Sequence, residues 1–275
     1  MINADEKHSL VDVSDHIYHL KCFVAYGFFE GDFLNFKSND EFGIFDFLTW
    51  LELSSDISGV EITPRYSNSV QWCSGAYEYE KQHKQNYQRF AFKISRLLFV
   101  WSAFEKLCDI VGINQLVPGK EGPAVKVGKY LEAESISIHP SFIDVWKKFA
   151  DLYLKHEDFG KSKSQIYPFA EQWSVASLIN LARDARNKAV HGQSSLKPPE
   201  DYSGNILPSR CYICFIDLAV RAILITIQML LETFLSKNIC EYYSSYDDED
   251  NELDVHQYLI TLHLVETEHP DIMHW

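Results

Sequence analysis

The chain of 275 residues has little of what a disulfide scaffold, a phosphate loop or a secreted precursor is built from. Its six cysteines are scattered, and only Cys211 and Cys214 stand close together. With no second pair they complete no zinc site, so buried, reduced thiols in a cytosolic protein are the expected state. No Gly-rich phosphate loop and no internal repeat occurs. The stretch Met1 to Lys7 is polar and acidic, without the basic and apolar regions of a secretory signal. Residues 241–275 contain no Lys or Arg against 10 acidic residues. The most apolar run, Cys211 to Leu235, has the length of a membrane span. It is interrupted by Asp217, Arg221, Gln228 and Glu232, each expensive in lipid. It reads as a buried core helix, and a cytoplasmic protein with no membrane partner is expected.

What is present is ample for folding: 46% apolar and 14% aromatic residues exclude a wholly disordered chain. A net charge of −14 argues at first against a nucleic-acid binder. Its distribution changes that. Residues 1–60 carry 3 basic and 11 acidic groups, residues 61–240 carry 22 and 18, and residues 241–275 hold the rest of the acidity. The middle two-thirds is therefore mildly basic between acidic ends. Two readings of the ends stand open: they keep the protein soluble, or the acidic stretch Asp247–Asp254 covers a basic cleft.

The pattern divides the chain into a mixed α/β region over residues 1–75, a helical domain over 76–240, and an acidic linker with a C-terminal strand over 241–275. In the first, His16 to Phe29 is aromatic and β-branched enough for a strand, and Gly59 to Thr63 for another. Asp40 to Leu53 has helical spacing. His16, His19 and Cys22 have a metal-like spacing on a helix but alternate faces on a strand, so no metal is expected there. Helices are predicted over Tyr87–Val111, Ala124–Ala133, Pro140–Lys155, Glu171–His191 and Ser209–Lys237. Val255 to Val265 alternates as a strand, pairing with the N-terminal ones. The fold class is thus mainly α.

The helix Glu171–His191 carries the chemistry. Its apolar stripe is Val175, Leu178, Ile179, Ala182 and Ala189, and Arg186 falls on it. Glu105 shows the mirror anomaly, four residues after Trp101 and three before Cys108 on the earlier helix. A buried unpaired charge costs several kcal/mol, so an Arg186–Glu105 pair would resolve both; snorkelling to water is the alternative. Beside the stripe runs a polar row, Asn180, Arg183, Asp184, Asn187 and His191, recurring at three- and four-residue steps. Gly192 follows as a helix C-cap should. His191 then lies at the negative end of the helix dipole, which favours its protonated form and suits a residue that passes protons. A terminal His is also commonly a cap contact and nothing more. Arg183 and Lys188 stand beside the row, where cations would hold a phosphodiester.

The run Arg186-Asn187-Lys188-Ala189-Val190-His191 is an R-x4-H motif with a polar residue after the Arg. It resembles the HEPN superfamily, and its wording is most similar to the Apea-like and related stand-alone HEPN groups. Trp101-Ser102-Ala103-Phe104-Glu105-Lys106-Leu107 is similar to the early helix of such domains. The resemblance covers roughly residues 80–240. It implies a HEPN-type helical bundle and a homodimer with a composite site. It implies Arg186 as stabiliser of phosphate charge, His191 as general base or acid, and Asn187 as an orienting residue. Glu105, Arg183 and Lys188 support them. The implied activity is metal-independent cleavage of RNA by 2′-OH attack, in phage defence or as a toxin, with no cofactor. The implied partners are RNA, tRNA among the candidates, and an inhibitory or activating protein. Because many superfamily members lack catalysis, a non-catalytic HEPN dimer acting as an interaction or nucleotide-binding module is the alternative.

Overall fold

Burial of most of one long apolar helix organises the molecule. The computed structural model describes residues 10–30, 33–36, 41–63, 74–155, 167–191, 207–235, 240–244 and 250–264. Among them are ten helices: α1 Val13–Phe29, α2 Glu41–Asp56, α3 Ser74–Ile110, α4 Ile113–Leu116, α5 Pro123–Ala133, α6 Pro140–Lys155, α7 Tyr167–Glu171, α8 Ser177–Val190, α9 Leu207–Glu232 and α10 Val255–Thr261. A hairpin of β1 (Cys240–Ser244) and β2 (Asp250–Asp254) is antiparallel, pairing Cys240 with Asp254 and Ser244 with Asp250. The fold is mainly helical.

The central helix is α9. Its length and apolarity would let it cross a membrane, yet 72% of the stretch Ile213–Glu232 is buried inside the protein. Phe215, Ile216, Ala219, Val220, Ile223, Leu224, Ile227 and Leu230 are sealed from solvent. A helix apolar all round in a globular protein is a core helix, as the interrupting polar residues foretold. It packs against α1, α3, α5, α6, α8 and α10. One continuous apolar core runs from Val13 to Leu262.

Two expected strands are helices. The segment His16–Phe29 lies inside α1, whose buried face Val13, Ile17, Leu20, Val24 and Gly27 has helical spacing. Asp12 caps it, its carboxylate accepting from the Ser14 amide at 2.8 Å. β-Propensity of its aromatics was the weaker signal, because it measures packing context more than backbone preference. Gly59–Thr63 takes no regular structure, so residues 10–63 hold helices where a mixed region was expected. Val255–Val265 likewise begins as α10, capped by Asp254, which accepts from the Gln257 amide at 3.0 Å. Its C-terminal side does meet the N-terminus, but through an isolated bridge, Leu10 to Leu264, and a bond from the Val11 amide to the His263 carbonyl at 3.1 Å. The helix expected over Glu171–His191 is broken into α7 and α8. At the break Ser177 Oγ accepts from the Ser174 amide at 2.8 Å and donates to the Gln172 carbonyl at 3.1 Å.

Buried polar groups are met across elements. Arg96 of α3 donates to Ser14 Oγ at 2.9 Å, to the Ser54 carbonyl at 3.1 Å and to the Ile57 carbonyl at 3.2 Å, locking α1 and the end of α2. His16 of α1 meets Gln228 Oε1 of α9 at 2.9 Å, and Gln228 donates onward to the Leu259 carbonyl of α10. Ser141 Oγ stands between His139 Nδ1 at 2.5 Å and His263 Nε2 at 2.6 Å. The Ser141 amide also donates to His139 Nδ1 at 3.3 Å. That ring nitrogen is therefore an acceptor, the hydroxyl donates to it, and His263 Nε2–H donates to the hydroxyl oxygen.

Because α10 supplies Val255, Leu259 and Leu262 to the core, removing everything after Lys237 strips the core as well as the acidic residues. A test of the acidic stretch must neutralise charges and keep the chain; residues 247–249 of that stretch lie outside the described residues.

Burial, and then the charge of Arg221, push the pKa of His16 down to about 3 from 6.5. The folded protein thus keeps this ring neutral while the unfolded chain protonates it below 6.5. Its contribution is complete above pH 6.5 and is lost as pH falls from 6.5 toward 3. Urea midpoints are expected to drop through that window by the equivalent of a few kcal/mol. The His16→Gln variant should start less stable and show a flatter profile; an unchanged slope in that variant refutes the assignment.

Candidate functional site

The motif helix α8 is held against α5 by a close approach. A Cβ placed on Gly128 would meet the Ala176 Cβ at 2.8 Å and Asn180 Nδ2 at 3.3 Å. Asn180 is buried and donates to the Ala176 carbonyl at 2.9 Å. It belongs to the helix's anchoring, although the spacing placed it in the polar row. Leu178, Ile179, Leu181, Ala182 and Ala185 fill the core side.

Lys188 and Asp184 also turn inward. Lys188 Nζ lies 2.8 Å from Asp184 Oδ2 with both side chains largely covered, at 11% and 16% exposure. Tyr153 of α6 donates its hydroxyl to the same Asp184 oxygen at 2.8 Å, and the ammonium stands 5.2 Å from the Tyr153 ring centre. This three-residue knot joins α6 to α8. Lys188, expected as a phosphate-binding cation, is engaged in it. Arg183 is half-buried, and burial lowers its pKa below the usual guanidinium value against the opposing charge of Asp184.

Arg186 and Glu105 do not pair. Glu105 is exposed, and no ion pair joins it to Arg186 among the described residues. The reason is angular. The buried direction of α3 is set by Leu97, Val100, Phe104, Leu107 and Cys108. At about 100° per residue Glu105 points about 120° away from it. What occupies the expected place is Trp101: the Arg186 guanidinium carbon lies 5.5 Å from its ring centre. Arg186 Nη1 donates to Asn187 Oδ1 at 3.2 Å. Arg186 Nε and Trp101 Nε1 are both buried with no hydrogen-bond partner among the described residues. A buried N–H with no acceptor costs about 1–3 kcal/mol.

His191 ends α8, exposed, its amide donating to the Asn187 carbonyl at 3.0 Å. The capping role expected of Gly192 lies outside the described residues. The structure brings together Arg186 and Asn187, with His191 one turn beyond Asn187. It separates Glu105 and diverts Lys188. The sequence reading missed Trp101 as the surface under Arg186; its signal was the shared α3 stripe, read there for Glu105. The buried histidines had no signal of their own, since His139, Ser141 and His263 are brought together from distant positions. Among the described residues no group of three or more His, Cys, Asp or Glu converges as metal ligands do.

The knot predicts an asymmetry. Asp184→Ala leaves both the Lys188 ammonium and the Tyr153 hydroxyl without their acceptor and should cost about 3–5 kcal/mol by chemical denaturation. Lys188→Met keeps the apolar stem and should cost clearly less. If Lys188→Met is the more damaging of the two, the knot is not the structural unit described. No family model, curated protein or solved structure matches this chain.

Proposed function

We propose that the protein is a metal-independent endoribonuclease of HEPN type, acting in the cytoplasm as a homodimer in phage defence or as a toxin. The observation that carries this reading is the state of Arg186. It stands half-buried over the Trp101 ring, and among the described residues it has no carboxylate partner and neither its Nε nor Trp101 Nε1 has a hydrogen-bond partner. Phosphate oxygens are acceptors of the required charge and shape for a guanidinium fork. Asn187 steadies the fork through its amide oxygen.

In this reading Arg186 binds the scissile phosphodiester of RNA. His191, accessible at the helix end, removes the proton of the neighbouring ribose 2′-OH. The 2′-oxygen attacks phosphorus and the P–O5′ bond breaks. The leaving 5′-oxygen takes a proton from an acid, the His191 of a second copy. The products are a 2′,3′-cyclic phosphate and a 5′-hydroxyl end. Of the supporting residues expected, Arg183 lies three residues before Arg186 on α8, while Glu105 points away from it.

The diversion of Lys188 into its knot with Asp184 and Tyr153 favours a second reading. With one cation fewer for phosphate, the protein is a non-catalytic HEPN dimer serving as an interaction or nucleotide-binding module.

Incubation with tRNA or total RNA in excess chelator separates the two. The parent should cleave, leaving cyclic phosphate ends. His191→Ala should lose about 10²–10⁴-fold in rate, the range typical of one acid–base group. Arg186→Lys should also fail, because an ammonium cannot reproduce the fork. Cleavage retained in both folded variants overturns the ribonuclease reading, and an inert parent points to the module.

A further inference from the structure

Helix α2 presents apolar side chains on two opposite sides, and only one of those sides is covered. Gly43, Ile44, Phe47, Leu51 and Ser54 are buried, where the helix packs against α1 and α3. On the other side Phe42 is 84%, Phe45 54% and Leu53 46% exposed. At about 100° per residue these three and Thr49 fall within about 80° of one another, opposite the buried face. Thr49 is exposed and donates its hydroxyl to the Phe45 carbonyl at 2.8 Å, so its polar group is spent on the helix's own backbone. Phe29, at the end of α1 and also exposed, adds to the strip, its ring centre 5.0 Å from that of Phe45.

Spacing and charge together select what packs there. Phe42, Phe45, Thr49 and Leu53 recur at steps of three, four and four residues over about 17 Å. That is the seam spacing by which one helix packs along another, and the charges bordering a seam choose the partner. Here every bordering charge is negative. Glu41 and Glu52 lie about 20–40° outside one edge of the strip, and Asp46 about 20° outside the other. Asp56 stands in line with its C-terminal end. All four are exposed, and α2 contains no Lys, Arg or His. Lys106 of α3 reaches Asp46 at 2.9 Å and Lys21 of α1 reaches Glu52 at 3.3 Å, yet those carboxylate side chains remain 62% and 56% exposed. Glu41 and Asp56 have no ion pair among the described residues. A second copy packed through its own α2 would set these carboxylates against one another, and like charges brought together oppose association. An anionic lipid surface is repelled for the same reason.

We propose that this outward face of α2 is a docking site for an amphipathic helix of another protein, apolar on its contact side and bearing Lys or Arg along its margins. The phenylalanines anchor the partner helix, and the carboxylates fix its orientation. The proposal uses no residue of α8 and stands apart from the ribonuclease reading.

Two labelled synthetic peptides of 18 residues test it on the full chain by fluorescence anisotropy. Both place Leu at helical spacing on one side; one carries Lys at the margins and the other Glu. The Lys peptide should bind one to one and weaken as salt rises, and the Glu peptide should not bind. Phe42→Ser with Phe45→Ser removes no charge and should weaken the Lys peptide by about tenfold or more. That arm separates docking from a general attraction of cations to a chain of net charge −14, which the serines leave unchanged. Phe42→Ser alone, at the more exposed position, carries the same reading if the double variant does not fold. Glu41→Lys with Asp56→Lys should weaken the Lys peptide and admit the Glu peptide. Unchanged affinity for the Lys peptide in a folded serine variant overturns the proposal, and so does a parent that binds neither peptide. Self-association of the parent, seen by sedimentation and abolished by the serines, also overturns it; that result makes the face an interface between copies.

Discussion

A largely buried helix tolerates polar atoms only where they find partners, and the stretch Ile213–Glu232 of α9 carries five polar side chains, Asp217, Arg221, Thr226, Gln228 and Glu232. That condition fixes most of the architecture. Asp217 is met by Lys93 of α3 at 2.7 Å. Arg221 donates to the Val11 carbonyl, which holds the entry to α1. Gln228 is satisfied at both ends, by His16 and by the Leu259 carbonyl. Thr226 turns back to the Ala222 carbonyl of its own helix. Glu232 accepts from the Ser137 amide at 2.7 Å and faces His256 at 2.9 Å. Apolar burial supplies the driving force, but it is non-directional. The polar contacts decide which face of each neighbour is turned inward.

The same rule, applied to α8, explains what remains for chemistry. Lys188 reaches the interior and finds Asp184 and Tyr153, which compensate its desolvation. Asn180 reaches the interior and closes on its own backbone. Arg186 reaches only a half-buried place, over an indole and beside an amide oxygen. Interaction with an aromatic face holds a guanidinium in position without neutralising it. Among the described residues, Arg186 is held over the Trp101 ring and its Nε has no hydrogen-bond partner.

Much of this was legible in the sequence because it depends on period. The extent of α6 and the Leu178, Ile179 and Ala182 part of the inward face of α8 follow from apolar spacing at 3.6 residues. The interruption of the apolar run by Asp217, Arg221, Gln228 and Glu232 correctly signalled a core helix. What failed was composition used in place of period. His16–Phe29 is rich in strand-favouring residues, yet Val13, Ile17, Leu20, Val24 and Gly27 already spell a helix face once Val13 is included. The Glu105 expectation failed for a finer reason. A residue one turn after Trp101 inherits that tryptophan's position at the margin of the buried face and moves a further 40° outward. The His139–Ser141–His263 contact was illegible because His263 lies 122 residues from Ser141 and only the tertiary fold brings it to the local His139–Ser141 pair.

Helix geometry also sets what the motif can do alone. Arg186 and His191 are five residues apart on α8, about 7.5 Å along the axis and about 140° around it. The guanidinium leans back onto α3 and Trp101, while the imidazole stands exposed at the helix end. One phosphate held by Arg186 cannot lie in front of His191 of the same helix without crossing its surface. The homodimer proposed above would supply the second helix end that one chain lacks. Such an arrangement needs an accessible His191 and an Arg186 that is not consumed by a carboxylate of its own chain. Among the described residues, His191 is exposed at the end of α8 and Glu105 is turned away from Arg186.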